Sequence, residues 1–230
     1  RSDCFGPAQL KYANVNSVRG ASDDDVLLVL EHENGVVSSL AASANFKRAM
    51  EVLEQVKQPT AMITRSLSLV RYGRAVELIY DGELSLARQL LLQALKEQPS
   101  ASLQPVIHFW LGEVCFRLAD FDDAVLHFSK YLSMGAPTVG EASRIHASYN
   151  IGYSYYQLAQ YKLALTNFEK VSYGPVAGNT SLEQDARLRI ADCQFMLKQY
   201  KLARAGYQRV VDLDLSTAPY ALFQLAAVSG

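Results

Sequence analysis

Apolar positions along the chain recur three and four residues apart, in blocks that are themselves repeated. FKRAMEVLEQV (46–56), LSLARQLLLQA (84–94), FDDAVLHFSKY (121–131), YKLALTNFEKV (161–171) and YKLARAGYQRV (200–210) share one order. Each has a large residue, an alanine three later and a second large residue four after that, which places all three on one face of a helix. The alanines Ala49, Ala87, Ala124, Ala164 and Ala203 lie 38, 37, 40 and 39 residues apart. Upstream of the last four blocks stands a second segment of helical spacing: RYGRAVELIY (71–80), FWLGEVCFRL (109–118), YNIGYSYYQL (149–158) and LRIADCQFML (188–197). Between units lie QPSASLQP (98–105), MGAPTVG (134–140), YGPVAGNTS (173–181) and LSTAPY (215–220), whose Pro, Gly, Ser and Thr content marks turns. The pattern predicts a repeated helix–turn–helix.

Two antiparallel helices approach closely only where both carry small residues. Ala75, Gly112, Gly152 and Ala191 in the first helices are therefore expected to meet the alanines of the second helices. Phe121, Tyr161 and Tyr200 are expected to pack over the hairpin turn, and Phe128, Phe168 and Tyr207 to wedge between units.

WLGEVCF…ADFDDAVLHF and NIGYSYY…AQYKLALTNF resemble the tetratricopeptide repeat (TPR), whose pattern sets W-x2-L-G-x2-Y before A-x3-F. The resemblance covers about 66–230 clearly and 36–57 weakly. It implies an all-α fold, a right-handed α-solenoid of antiparallel helix hairpins. The implied repeat domain is 31–230, with units at about 31–65, 66–104, 105–143, 145–183 and 184–218 and a partial unit at 219–230. Two features depart from the family pattern. Arg71, His108, Ser148 and Arg187 occupy the tryptophan position, and the units are longer than the usual repeat of about 34 residues. The wording of YNIGYSYYQL, IADCQFML and YALFQLA also resembles long, many-repeat TPR proteins of bacterial cell envelopes, which suggests a periplasmic or envelope location, with the cytoplasm as the alternative.

Residues 1–30 form a poorly defined N-terminal segment. In SDDDV (22–26), Ser22 can cap a helix with Asp25 reaching back. VLLVLEHENGVVSSL then reads either as a helix broken at Asn34–Gly35 or as a hairpin turning there. A helix is expected, because 46–57 needs a first helix to pair with.

Composition narrows the function. With 22 basic against 23 acidic residues, the chain lacks the positive footprint of a nucleic-acid binder. No apolar run reaches the roughly 18 residues that span a bilayer, so no membrane insertion is expected. The ending YALFQLAAVSG has no polar cap and reads as an excerpt of a longer chain. Cys4, Cys115 and Cys193 form neither a disulfide framework nor a CxxC motif. His32, His108, His127 and His146 have no second ligand at helical spacing. There is no phosphate loop, dinucleotide fingerprint or nucleophile elbow. The expectation is a protein without catalytic residues, metal or cofactor.

In the TPR family, ligand contacts come mainly from positions two, five, nine, twelve and thirteen of the first helices. The resemblance thus implies a concave partner-binding face containing Tyr72, Phe109, Glu113, Phe116, Arg117, Tyr149, Tyr153, Tyr156, Leu188, Asp192 and Phe195. Tyr149, Tyr153 and Tyr156 read as surplus to packing, whereas Tyr155 and Tyr161 read as packing residues. The expected partner is a protein or peptide, with self-association through 219–230 as an alternative and a small-ligand or glycan sensor as a third reading. Chaperone-binding TPR domains clamp a C-terminal carboxylate with Lys, Asn and Arg. At the matching places stand Phe109, Glu113, Asn150, Asp185 and Arg189, and the two acids oppose that function.

Overall fold

A computed structural model describes residues 8–15, 25–32, 37–43, 46–136, 138, 141–172, 180–213 and 217–229, with side chains from Phe46 onward except at 48, 52, 62 and 229. Among the described residues three strands, β1 (Ala8–Val15), β2 (Asp25–His32) and β3 (Val37–Ser43), precede ten helices. The helices are α1 (Phe46–Glu54), α2 (Ala61–Tyr80), α3 (Leu84–Lys96), α4 (Leu103–Arg117), α5 (Phe121–Ser133), α6 (Arg144–Gln157), α7 (Tyr161–Ser172), α8 (Ser181–Met196), α9 (Tyr200–Asp212) and α10 (Ala218–Ser229). The chain divides into two compact units, Arg1–Ile107 and His108–Gly230, with the division inside α4. Among the described residues no helix is long and apolar enough to cross a membrane.

The first unit corrects the expected N-terminal helix. The strands form an antiparallel sheet in the order β1-β2-β3, with Leu28 opposite Ala13 on one side and Leu40 on the other. VLLVL is apolar at every position and so lacks the period of a half-buried helix, while β-branched residues favour extended backbone. Asn34–Gly35, which lies outside the described residues, is also the stronger signal for a hairpin than for a helix break. Asp25 opens β2, so it cannot serve a helix cap with Ser22, itself outside the described residues. Among the described residues only strands precede α1, and α1 packs on α2 and closes a core of Ala49, Leu53, Ile63 and Val70. The expected unit boundary at 65/66 consequently falls inside α2.

Arg71, at the family's tryptophan position, clasps three helices instead. Its guanidinium pairs with Glu97 after α3 at 2.5 Å and with Glu54 of α1 at 2.7 Å. Burial raises the Glu97 pKa against the pull of Arg71, so the pair is a desolvated one.

The repeats close in the same way each time. Between α2 and α3, α4 and α5, α6 and α7, and α8 and α9, a left-handed residue ends the first helix: Gly82, Ala119, Ala159 and Lys198, with φ of 83°, 59°, 56° and 61°. The next residue's N–H returns to a carbonyl five back, as in Gln160 to Tyr155 at 2.8 Å, and this satisfies the orphan acceptors of the helix end. Such short turns force the paired helices antiparallel. Thr60, Ser143 and Thr180 cap α2, α6 and α8, and Thr180 forms a reciprocal capping box with Glu183.

Within the second unit the close approach differs in detail from expectation. A Cβ built on Gly112 would lie 2.8 Å from the Phe128 ring, and one on Gly152 would lie 2.9 Å from Phe168. The glycine thus receives a ring from the second helix rather than the alanine methyl. Phe168 also lies in one core with Ala186, Ile190 and Cys193 of α8, so this ring links its own hairpin to the next. Ala191 of α8 faces Gly206 of α9, beside a core containing Leu188, Tyr207 and Val210.

Candidate partner-binding site

Most of the ring positions expected to line a groove have packing partners. Phe109 is 3 % exposed and Leu188 1 %, so both belong to the core and not to an open face. Phe109 meets Trp110, Phe128 and Tyr131 edge-to-face with centroids 5.2–5.6 Å apart. Phe116, Tyr156 and Phe195 each pair across the hairpin turn with the first ring of the next helix: Phe121 at 6.0 Å, Tyr161 at 5.4 Å and Tyr200 at 5.6 Å. Tyr149 and Tyr153 stack edge-to-face on Phe168 at 6.0 and 5.3 Å. Tyr149, Tyr153 and Tyr156 are therefore not surplus to packing. A repeat template assigns each ring to a helix position, but the tilt of the ring depends on whether a neighbour has left space, as Gly152 does for Phe168. Tyr72 is half-buried on α2, Glu113 is half-buried on α4, and Arg117 is exposed at the end of α4.

A ladder of polar contacts joins the first helices of the second unit. Glu113 on α4 accepts from Arg117 Nε at 2.7 Å and from Asn150 Nδ2 on α6 at 2.9 Å. On the other side of α6, the Tyr149 and Tyr153 hydroxyls both donate to Asp185 Oδ2 of α8 at 2.7 Å. Arg189 sits one turn on. It pairs with Asp185 at 3.2 Å and with Asp192 at 2.6 Å, and its guanidinium lies 5.6 Å from the centroid of Tyr153 and 5.7 Å from that of Tyr220 on α10. Asp192, expected at the groove edge, is buried and accepts from Tyr207 of α9 at 2.8 Å.

The electrostatics follow from this burial. Desolvation raises the Tyr149 and Tyr153 pKa values first, and their hydrogen bonds to the Asp185 carboxylate raise them further, so both phenols stay protonated and donate. Burial pushes Tyr156 up to about 12, with the Asp192 charge adding to it. Desolvation also raises Asp192, against the pull of Tyr207 and Arg189.

The residues matching a carboxylate clamp are thereby engaged internally. Asn150 is held by Glu113, and Arg189 by Asp185 and Asp192. Asp185, Arg189, Asn150, Tyr207 and Tyr220 were absent from the expected site. The i, i+4 and i, i+3 spacing of Asp185, Arg189 and Asp192 in DARLRIAD was the available signal for one helix face.

Two further clusters bear on chemistry. His108 and His127 are both buried and face each other, Nδ1 to Nδ1 at 3.0 Å, a pairing 19 residues apart that helical spacing could not reveal. Burial, with the neighbouring charges of His127 and Lys130, lowers the His108 pKa to about 4. Among the described residues, Cys115, Asp120 and Asp123 are the group whose potential metal-ligand atoms lie within 4.8 Å of one another. Asp120 and Asp123 stand at the start of α5, where the helix dipole favours acids without a metal. Cys193 is buried, and desolvation pushes its thiol up to about 12, away from a reactive thiolate.

Consecutive helix hairpins with a small residue under a ring define a helical-hairpin repeat protein. Models described as tetratricopeptide repeat match residues 72–137, 145–173 and 185–214. The chain is a tetratricopeptide-repeat protein. No match is found among curated proteins. Its fold is similar to that of apo RapI, at 17 % identity and TM-score 0.60, over 80 % of this chain and 52 % of RapI. It is also similar to YrrB, a TPR protein with an unusual peptide-binding site, at 19 % identity and TM-score 0.57, over 80 % of this chain and 81 % of YrrB. A third similar structure is the C-terminal part of a TPR repeat-containing protein from Cytophaga hutchinsonii, at 15 % identity and TM-score 0.55, over 80 % of this chain and 65 % of that one. The chain spans about half the length of RapI.

Proposed function

We propose that this chain is a non-enzymatic scaffold that binds a partner protein or peptide along the face built by α4, α6 and α8. The observation that carries the reading is the polar and aromatic ladder joining these helices. Packing alone needs apolar contacts, yet here half-buried tyrosines, acids and arginines run from one first helix to the next. Stacked helical repeats commonly present such continuous surfaces to partners, and tyrosine supplies large contact area with a polar tip and little entropy to lose. Exposed Arg117, Gln157 and Met196 would rim the surface.

The test uses rim residues, because the tyrosines also support the fold. Proteins captured by the chain from its native lysate should be lost with Gln157→Arg plus Met196→Arg. They should be retained with Ser129→Arg, on the exposed side of α5. Equal capture by both variants would remove the reading.

A second reading, self-association through α10, is favoured by one contrast. Phe223 is 69 % exposed, whereas Phe109 and Leu188, at the same repeat position, are 3 % and 1 % exposed. Leu222 is also exposed, so α10 presents an apolar face. Sedimentation of wild type and Phe223→Asp over a hundredfold concentration range tests it. A monomer throughout in both would discard this reading.

A further inference from the structure

We infer that the outer surface at the starts of α7 and α9 docks an acidic, leucine-bearing segment of a partner protein, a contact separate from the first-helix ladder. The same pair of residues recurs there. Lys162–Leu163 stands in the first turn of α7 and Lys201–Leu202 in the first turn of α9, 39 residues apart and each just before the buried alanine of its block. All four side chains are exposed, Leu163 at 46 % and Leu202 at 55 %. Lys198, in the turn before α9, and Arg204, within its first turn, are exposed as well.

Among the described residues none of these four cations has a carboxylate partner. The stretches 142–168 and 193–211 contain no acid at all. Asp192, the last acid before Lys198, is sealed in the core against Arg189 and Tyr207. In a chain of net charge −1 the positive charge here is a local asymmetry.

Helix stability does not account for the lysines. They occupy the first turns of α7 and α9, where the helix dipole favours acids. The preceding hairpin follows that rule, with Asp122 and Asp123 at the same two positions of α5. Core packing does not account for the leucines either, since about half of each stays in water while Ala164 and Ala203 beside them are fully buried. A single exposed leucine is ordinary on a protein surface. One beside an unpaired lysine at the same place in two consecutive hairpins is a pattern.

The chemistry selects the partner. Lysine attracts carboxylates, and leucine adds apolar contact that phosphate groups alone do not use. A flat anionic membrane or a long nucleic acid lying across the second helices would run on to Asp122 and Asp123 of α5. A peptide segment can cover the two lysine-bearing hairpins and stop short of those acids.

The test uses the whole chain and acetylated, amidated twelve-residue peptides, a length that spans about 40 Å when extended. Their polar and apolar positions are filled with glutamate and leucine, glutamine and leucine, or glutamate and serine. Binding is read by fluorescence anisotropy at low and at physiological salt. The glutamate–leucine peptide should bind tighter than either of the others by a factor of about ten or more, and its advantage over glutamine–leucine should shrink as salt rises. Lys162→Glu plus Lys201→Glu should remove that advantage while raising the thermal midpoint, because acids suit a helix start. Lys57→Glu plus Arg65→Glu, the same change of net charge at exposed positions of the first unit, should leave the ranking intact. Failure of the glutamate–leucine peptide to bind, equal binding of the glutamine–leucine peptide, or an advantage that survives in the Lys162 and Lys201 variant would overturn the inference. A lower thermal midpoint in that variant would also overturn it, since the lysines would then serve the fold. Tighter binding of a twelve-nucleotide oligothymidylate, or of vesicles containing phosphatidylserine, would replace the peptide with another partner and overturn it too. None of these outcomes touches the first-helix face, which the Gln157 and Met196 variant tests separately.

Discussion

Removing the Asp185 carboxylate should loosen α6 from α8 by an amount that the geometry sets. Asp185 accepts from Tyr149 and Tyr153 at 2.7 Å and pairs with Arg189 at 3.2 Å. A hydrogen bond to a charged group contributes about 1.5–3 kcal/mol when buried. With 21 % of the Asp185 side chain exposed, about 1–2 kcal/mol per tyrosine is the reasonable share. Tyr153→Phe should therefore cost about 1–2 kcal/mol, and Asp185→Ala about 2–4 kcal/mol, because it strands two phenols and half of the Arg189 pairing. In the double variant the losses should fall short of additive by about 1–2 kcal/mol. The assay is equilibrium urea unfolding followed by circular dichroism, accepted only where the m-value is unchanged, since repeat arrays can unfold in parts. Asp185→Ala combined with Asp122→Ala serves as the control and should be additive within about 0.5 kcal/mol. A coupling between Asp185 and Tyr153 below about 0.3 kcal/mol would refute the reasoning, since it would mean that water serves the phenols as well as the carboxylate does.

Other consequences can be checked in the same way. Gly152→Ala should destabilise the fold by about 1–2 kcal/mol despite alanine's better helix propensity, because its Cβ would lie 2.9 Å from the Phe168 ring; a neutral result in urea unfolding would place that ring elsewhere. Ala159→Gly should stabilise by up to about 1 kcal/mol, because φ of 56° strains an alanine more than glycine's extra freedom costs the unfolded chain; a loss of thermal stability would contradict it. His108 binds its proton far more weakly in the native state, at a pKa of about 4, than in the unfolded chain near 6.5. Its contribution is complete above pH 6.5 and is lost as pH falls toward 4, by about 3 kcal/mol in all. Urea midpoints measured from pH 4 to 7 should show this slope, and His108→Leu should flatten it.

The repeat positions were readable because they obey local rules. Alanines spaced for one helix face, glycines at the matching sites and polar turns fix where helices begin and which faces meet. Phe109 and Leu188 illustrate where such rules stop. Their repeat position marks a contact surface in other members of the family, but here the following helix brings a ring or an apolar cluster over them. The Glu113–Asn150 and Tyr149–Asp185 contacts join residues 37 and 36 apart, one repeat length, so a repeat template aligns those partners without saying that they touch. His108 and His127 face each other across a hairpin, beyond the reach of any spacing on a single helix. The N-terminal strands follow the hairpin alternative that the sequence offers at Asn34–Gly35 rather than the expected helix. A helix there would give α1 a partner, but α1 finds that partner in α2, while the uninterrupted apolar run and the Asn–Gly pair both favour a hairpin.

Partner binding on the first-helix face is the central proposal. Site-specific photocrosslinking in native cells tests it most directly, with benzoylphenylalanine placed singly at Gln157, Met196, Ser129 or Glu169, all exposed positions. One partner adduct is expected from Gln157 on α6 and Met196 on α8, and none from Ser129 on α5 or Glu169 on α7. Adducts confined to Ser129 and Glu169 would contradict it.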